Sequence, residues 1–289
     1  MTVPRMARPD SAALSELTSE EIITECELNY IDYWRSATAH STSEWSEDCG
    51  ITRCVTGLPQ EIFNVVLRSN LMREDADRCI DRVISEFRMR RIPLIWHVGR
   101  TSSPGDLGSY LEARGYPRDY DLIAMAADLR QLERPIDFPD RVKVRPCSTV
   151  LDCGDWIDCL VRSWDSPKEV GQWMKANPFY AADPPVRDRR TSSRVMYLGF
   201  LDGIPSGALM LFIARGVAGL QCVGTVGPSR RRGLAEAMVR TAMRDASERG
   251  HRFIVVLSTT EGVPLYEKAG FRRYGKLPEH SMYFDRPGP

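Results

Sequence analysis

The sequence lacks the long apolar runs, the charge imbalance and the leader segment that mark several classes of protein. No apolar run in its 289 residues approaches the roughly 18 residues that a membrane-spanning helix requires. Lys plus Arg and Asp plus Glu each total 39, so no general attraction to nucleic acid or to an anionic membrane is expected. Residues 1–10 lack the apolar centre of a signal peptide. We therefore expect a cytoplasmic protein with neither nucleic acid nor membrane as a partner.

Metal and nucleotide motifs are also missing. The eight cysteines include no C-x-x-C pair, and none lies beside one of the four histidines, which predicts reduced cysteines and no metal site. No G-x-G-x-x-G follows a strand pattern, so the dinucleotide fingerprint is absent. Residues 270–277 fall one residue short of a P-loop, and Leu277 stands where Ser or Thr would hold magnesium.

The chain is long enough for two domains of about 140 residues each. The charged segment 133–140, with two prolines, is the predicted linker, which gives domains at 1–134 and 135–289. Both parts follow one order of patterns: strands, a long helix, an apolar strand, a short helix and a glycine followed by an aromatic residue. At matching points, residues 110–116 read YLEARGY and residues 265–271 read LYEKAGF. The similarity favours a duplicated fold, with two independent α/β halves as the alternative.

Hydrophobic periodicity predicts the elements of both parts. A helix over 18–39 begins with a capping box formed by Thr18 and Glu21. The polar stretch 41–50 ends this helix. The other predicted helices span 76–87, 107–114, 151–164, 168–176, 233–250 and 263–269. The predicted strands span 51–56, 62–67, 93–98, 120–129, 142–145, 195–201, 207–213, 218–226 and 253–257.

One motif has the character of a phosphate-binding loop. Residues 230–235 read RRRGLA and fit R-x-x-G-x-[GA] between an apolar strand and an amphipathic helix. Unpaired N–H groups at a helix N-terminus attract anions, and Gly233 with Ala235 lets a pyrophosphate approach the backbone closely. The three arginines add positive charge. A solvated basic helix cap is the alternative interpretation.

Two motifs in sequence order resemble the GNAT acyltransferase superfamily. Residues 224–235, GTVGPSRRRGLA, resemble its pyrophosphate loop, and residues 264–271, PLYEKAGF, resemble its second signature, with a helix and a strand between them. The resemblance implies an α/β fold with two GNAT-like domains, each a mixed, mostly antiparallel sheet flanked by helices. It also implies acetyl-CoA or another acyl-CoA as co-substrate, with no metal.

The resemblance further implies an active site. The CoA pantetheine arm would add to a strand edge where two strands splay, the pyrophosphate would bind the loop amides, and Tyr266 would protonate the departing thiolate. A packing tyrosine is the alternative for Tyr266. The residues implied in acyl-CoA binding are Val223, Gly224, Thr225, Arg230, Arg231, Arg232, Gly233, Leu234 and Ala235.

The N-terminal half departs from the family pattern. Its strand at 62–67 is followed by RSNLMRED, which contains no glycine loop. Alignment of Gly115 with Gly270 places Leu111 at the position of Tyr266. We expect this degenerate half to shape or cover the acceptor site, or to stabilise the fold.

No pattern identifies the base that deprotonates the acceptor. Gln221 and Cys222 lie on the central strand, but neither is a carboxylate, and Cys222 is interpreted as a core cysteine. His280, Glu261 and Asp165 are further candidates, and a water relay would serve equally well. A group of large side chains forms either an acceptor pocket or part of the core: Trp164, Trp173, Met174, Phe179 and Tyr180.

The leading hypothesis is an acyl-CoA-dependent N-acyltransferase that acts directly on an amine of a small molecule or peptide. Because no base is evident, a non-catalytic acyl-CoA-binding or regulatory scaffold is the alternative. An aminoacyl transferase that uses charged tRNA is disfavoured by the balanced charge and the intact loop. The sequence makes no prediction about oligomeric state.

Overall fold

The structure is a computed structural model that describes residues 13–39, 41–132, 138–181 and 192–284. The strands are β1 (Glu44–Asp48), β2 (Ile51–Val55), β3 (Asn64–Ser69), β4 (Leu94–His97), β5 (Tyr120–Asp128), β6 (Val142–Pro146), β7 (Arg194–Leu201), β8 (Ile204–Ala214), β9 (Val217–Thr225), β10 (Phe253–Ser258) and β11 (Arg272–Met282). The helices are α1 (Ser19–Thr38), α2 (Arg73–Arg90), α3 (Leu107–Glu112), α4 (Val150–Ser163), α5 (Lys168–Ala176), α6 (Leu234–Glu248) and α7 (Val263–Lys268). Within these ranges, no helix combines the length and apolar composition that a bilayer crossing needs.

All 11 strands form one sheet in the order β1-β2-β3-β4-β11-β5-β10-β9-β8-β7-β6. The pairs β3–β4 and β9–β10 are parallel, and the other neighbours are antiparallel. The predicted α/β class, with a mixed and mostly antiparallel sheet flanked by helices, is confirmed.

Two strands, β1 and β11, have no counterpart among the predicted ranges. Local chemistry explains where α1 begins and why β1 escaped the sequence patterns. The N–H of Glu21 donates to Thr18 Oγ1 at 3.2 Å and the N–H of Thr18 to Glu21 Oε2 at 2.8 Å, so the predicted capping box is present. The predicted break at 41–50 is wrong in part, because it contains β1. Cys49 and Gly50, with φ of 48° and 74°, form the tight turn that joins β1 to β2. Charged residues are usual on such an edge strand.

Alternate side chains of the strands pack on opposite faces of the sheet. On β8, Ala208, Met210 and Phe212 pack with α1, α4 and α5, on what we call the first face. Leu209 and Leu211 pack with α6 and α7 on the second face. The helices α2 and α3 cover the second face of the N-terminal half.

The last strand of each half lies inside the other half. β5 ends the N-terminal half but pairs with β10, from Phe253↔Asp128 to Ser258↔Ile123. β11 ends the C-terminal half but pairs with β4, from Met282↔Leu94 to Glu279↔His97, and β5 and β11 also pair with each other. Each half therefore completes its sheet with a strand from the other. The boundary between residues 134 and 135 stays a prediction, and residues 133–137 of the predicted linker lie outside the described residues.

Met125, fully buried in the middle of β5, should couple the stability of the two halves. Met125→Ala should lower the free energy of unfolding by about 2–5 kcal/mol, because it removes burial and leaves a cavity. Since β5 joins strands of both halves, calorimetry should show one transition that shifts as a whole. Met89→Ala, at a side chain 80% exposed, is the control and should change stability by less than about 0.5 kcal/mol. Two separate transitions, with only one shifted, would contradict the coupling.

Candidate active site

A cleft opens in the C-terminal half because two parallel strands separate. Among the described residues, β9 and β10 pair only at Ile254↔Ala218 and Val255↔Gly219. Beyond these pairs, residues 220–225 of β9 and 256–258 of β10 diverge, which leaves one backbone edge of each strand facing the gap. The separation lies between the predicted strands 218–226 and 253–257, where the resemblance implies that two strands splay.

The loop after β9 leads into α6 and leaves several N–H groups without a protein acceptor. Gly233, with φ of 85°, is the N-cap of α6, and the N–H of Ala237 donates to its carbonyl oxygen at 3.0 Å. Within the part of the chain that the structure describes, the N–H groups of residues 231–235 donate to no protein acceptor. A Cβ on Gly233 would meet nothing within 4 Å, so the space over these groups is open. This arrangement fits a pyrophosphate.

The three arginines of the loop have different surroundings. Arg230 donates to the carbonyl oxygens of Thr225, at 3.0 Å, and of the last residue of α4, at 2.8 Å. Arg232 pairs with Asp202 at 3.1 Å and does not line the cavity described below. Arg231 lines that cavity and forms no ion pair with the described residues. Arg231 is therefore the best placed of the three to face a phosphate, whereas Arg230 fastens the loop.

Tyr266 reaches the cleft from the second face. It is buried on α7, and its ring contacts that of Phe271 with centroids 5.4 Å apart. Its side chain lines the cavity, and its hydroxyl makes no hydrogen bond with a described residue. Burial raises the pKa of Tyr266 well above the ordinary value of a phenol. The group therefore stays protonated at neutral pH and can donate its proton.

A cavity of about 1150 Å³ extends from the cleft to the N-terminal half. The loop before α6 and Tyr266 line one end. Tyr30, Tyr33 and Trp34 of α1 and Glu279 of β11 line the other end. Of the residues implied in acyl-CoA binding, all except Arg232 line the cavity. The N-terminal half thus contributes directly to the walls of the candidate site.

The candidates for the base lie in different places. Glu261, Gln221 and Cys222 line the cavity, whereas His280 and Asp165 do not. His280 points to the second face, where its Nδ1 lies 2.9 Å from a backbone carbonyl oxygen. Burial raises the pKa of Cys222 to about 12, so its thiol is not a thiolate at neutral pH. Cys222 was expected in the core, and it lies half-buried at the core's edge, in the cavity wall.

A tyrosine of the N-terminal half meets the central strand of the C-terminal half. The hydroxyl of Tyr33 lies 2.8 Å from that of Tyr180 and 3.0 Å from the Sγ of Cys222. Sequence patterns had not placed Tyr33 at the site. The large side chains that were predicted to form either an acceptor pocket or part of the core take both positions. Trp164 lines the cavity, whereas the others pack in the core on the first face: Trp173, Met174, Phe179 and Tyr180.

The equivalent gap in the N-terminal half is closed by its own chain. β3 and β4 also pair at only two positions before they separate. Ser103 N–H donates to Ser69 O at 2.7 Å, and the buried carboxylate of Glu27 accepts from the N–H groups of Arg100 and Thr101 at 2.7 and 3.0 Å. Two acidic residues also occupy the first turn of α2, which disfavours an anion there. These contacts fill the space that a pantetheine arm would need.

Comparison with known families agrees with this geometry. The model of the Acetyltransferase (GNAT) family matches residues 160–271, which include the loop, α6 and α7. Over this segment the chain is similar to the GNAT family. None of the curated proteins compared with the sequence matches it.

Several solved structures share the fold of the whole chain. A GCN5-related N-acetyltransferase from Kribbella flavida is 14% identical with a TM-score of 0.63, covering 89% of this chain and 94% of its own. One from Sphaerobacter thermophilus is 18% identical with a TM-score of 0.58, and the match covers 83% of this chain and 78% of that protein. A tandem GNAT protein from the clavulanic acid biosynthesis pathway is 12% identical with a TM-score of 0.52, covering 94% and 98%. At these identities the likeness concerns the fold alone.

The end of the cavity in the N-terminal half holds a buried pair of titratable groups. Glu279 is 6% exposed and His97 is 1% exposed, and Glu279 Oε1 lies 3.3 Å from His97 Nδ1. Burial raises the pKa of Glu279 to about 8, with the charges of Asp119, Asp121 and Glu61 acting in the same direction. Burial lowers the pKa of His97 to about 3. Both groups are therefore neutral at pH 7, with the carboxyl protonated.

Glu279 should make the protein less stable as the pH rises. Its pKa is 4.5 ordinarily and about 8 in the folded state, so between these values the folded state binds the additional proton. The free energy of unfolding should then fall by up to about 1.4 kcal/mol per pH unit across this window and change no further above it. Denaturant unfolding of Glu279→Gln from pH 5 to 9 should show a smaller slope. Glu112→Gln, at an exposed position on α3, should keep it, and equal slopes in all three proteins would contradict the prediction.

Proposed function

We propose that the protein transfers an acyl group from acetyl-CoA or another acyl-CoA to an amine of a small molecule or peptide. The observation that supports this proposal is that three features meet at one cavity. They are the loop with the free N–H groups of residues 231–235, the gap between β9 and β10, and Tyr266. They supply an anion site, strand edges for an extended pantetheine chain, and a proton donor for a thiolate.

Each group in the site has one task in a direct transfer. The N–H groups before α6 bind the pyrophosphate with Arg231, and the backbone of residues 223–225 aligns the pantetheine chain. A backbone N–H in the gap polarises the thioester carbonyl. As the amine nitrogen bonds to the acyl carbon, the carbon–sulfur bond breaks and Tyr266 gives its proton to the sulfur. The amine reacts in its neutral form, and the surplus proton of its nitrogen returns through water to the phenolate oxygen of Tyr266, which restores the proton donor.

Thiol release tests this proposal. The protein is incubated with acetyl-CoA and a panel of amines, free CoA thiol is followed, and the acylated amine is identified by mass spectrometry. We expect thiol release that depends on the amine. CoA binding without release for any pairing of acyl-CoA and amine would overturn the transfer and favour the binding scaffold.

A further inference from the structure

The charges that line the cavity are separated by sign. Arg230, Arg231 and Lys268 line the end at the α6 loop, where Glu236 is already paired with Arg240 at 3.1 Å and with Lys268 at 2.6 Å. Among the described residues, the other end is lined by carboxylates and by no Lys or Arg. These carboxylates are Glu61, Asp119, Glu261 and Glu279. One end of the cavity therefore suits the phosphates of CoA, and the other end suits a cation.

The partners of these acidic side chains are hydroxyl, N–H and imidazole groups. Within the described ranges, none of them forms an ion pair with Lys or Arg. Glu261 accepts a hydrogen bond from the hydroxyl of Tyr120 at 2.8 Å, and Asp119 accepts one from a backbone N–H at 3.2 Å. Asp121, which does not line the cavity, is by contrast paired with an arginine and a lysine at 2.5 and 2.9 Å. Acidic groups without a Lys or Arg counterion among the described residues thus line the cavity side of this surface, and one of them, Glu279, is protonated at pH 7.

In the part of the chain that the structure describes, some buried polar side chains at the acidic end lack hydrogen-bond partners. The carboxyl of Glu279 lines the cavity, and its polar neighbour is His97 Nδ1 at 3.3 Å. Among the described residues, neither ring nitrogen of His97 has a hydrogen-bond partner. The same holds for the indole N–H of Trp34, which lines the cavity and is 4% exposed. Buried polar groups are normally satisfied, so these point to a ligand. The ring of Tyr30, 5.5 Å from that of His97, adds an aromatic face for a cation.

The acidic end is too far from the cleft to hold the nitrogen that reacts. Glu279 lies on β11, and β5 separates β11 from β10, which forms one wall of the cleft. Two strand spacings amount to about 10 Å. A cation beside Glu279 therefore belongs to a different group from the nitrogen that attacks the thioester.

We propose that the acceptor is a small organic dication, an amine with a second cationic group at its far end, which Glu279 binds together with Glu61 and Asp119. The inference rests on the proposed transferase function and names its acceptor class. The reacting nitrogen lies in the cleft, near Tyr33, and the distal group lies between Glu279 and the aromatic rings of the N-terminal half. Glu279 is a binding residue in this scheme and does not touch the reacting atoms.

Amines of equal length with one or two charges test the proposal. With acetyl-CoA, kcat/KM for 1,6-diaminohexane should exceed that for hexylamine by at least about tenfold. Glu279→Gln should reduce this ratio towards one by lowering the kcat/KM for the diamine. Glu112→Gln, at the exposed end of α3 and outside the cavity, should leave the ratio unchanged. Transfer to both amines with equal kcat/KM would overturn the dication. Absence of transfer to every amine, with CoA bound, would instead overturn the transferase function.

Binding of the diamine should also displace a proton. Glu279, whose pKa is about 8, is protonated at pH 7, and a cation beside it favours the ionised form. Its polar neighbour is His97, and the charges of Asp119, Asp121 and Glu61 act on it, with Asp121 on the opposite face of the sheet; the ring of Tyr30 is also close.

Calorimetric titration of the protein–CoA complex with the diamine, in buffers of different ionisation enthalpy, measures this release. Wild type should release about one more proton with 1,6-diaminohexane than with hexylamine. The comparison with hexylamine subtracts any proton that the reacting nitrogen releases. Glu279→Gln should show no such difference. An unchanged difference in the variant would place the titrating group elsewhere and overturn the role of Glu279.

Discussion

Gly233→Glu should abolish CoA binding and leave the fold intact. Gly233 caps α6 with open space in front of it, so a glutamate there places a carboxylate among the N–H groups of residues 231–235. The carboxylate would occupy the anion site and repel the pyrophosphate. We expect calorimetry to show a Kd for CoA raised by at least about 100-fold, equivalent to about 2.8 kcal/mol. Transfer activity should fall in proportion at low acyl-CoA concentration.

A matched control exists at the other end of the same helix. Gly250 follows α6 with φ of 89°, and a Cβ there would also meet nothing within 4 Å. Gly250→Glu therefore introduces the same charge and similar backbone strain, about 1–2 kcal/mol, away from the cavity. Its affinity for CoA should match that of wild type. Equal losses in both variants would attribute the effect to strain, and unchanged binding in Gly233→Glu would exclude the loop as the phosphate site.

Elements with strong local signals were predictable from the sequence. α1 was identified by its capping box and by apolar residues at helical spacing, and α5 by its amphipathic pattern over 168–176. β1 was missed because its sequence, EWSED, contains a single apolar residue. An edge strand is held by backbone hydrogen bonds on one side only and needs few buried side chains, so its pattern resembles that of a loop.

The exchange of β5 and β11 could not be predicted in the same way. β5 is buried at every position from Ile123 to Ala127, and β11 is buried at Leu277, Glu279, His280 and Met282, so neither burial pattern specifies which strand lies beside it. The similarity of residues 110–116 to 265–271 indicated a duplication. Which strand pairs with which is decided by contacts between residues more than a hundred positions apart, about which a local pattern holds no information.

The two ends of the cavity differ in how well the sequence predicts them, because one is a continuous segment and the other is assembled from distant parts of the chain. The end proposed to bind CoA is built mainly from residues 223–235, a continuous segment with a recognisable pattern, although the side chain of Arg232 pairs outside the cavity. The end proposed to bind the acceptor combines α1, the segment 60–63 before β3, the start of β5 and β11. Glu279 stands in the ordinary sequence PEHSM and becomes buried only because β11 lies between β4 and β5.

The largest kinetic effect is expected for Tyr266→Phe. The ring and its contact with Phe271 remain, so the Kd for CoA should be unchanged, whereas loss of the proton donor should lower kcat by about 100- to 10,000-fold. Tyr274→Phe, on β11 and outside the cavity, is the matched control and should retain the wild-type kcat. Because burial raises the pKa of Tyr266, wild-type activity should show no loss from its ionisation up to about pH 10.

The leaving group distinguishes proton donation by Tyr266 from simple packing. A thiol more acidic than that of CoA departs readily as a thiolate and gains less from being protonated. The ratio of wild-type to Tyr266→Phe activity should therefore be smaller with an acetyl thioester of such a thiol than with acetyl-CoA. A ratio that is large and equal for both thioesters would mean that the hydroxyl maintains the shape of the cleft. A ratio near one with acetyl-CoA would remove Tyr266 from the chemistry altogether.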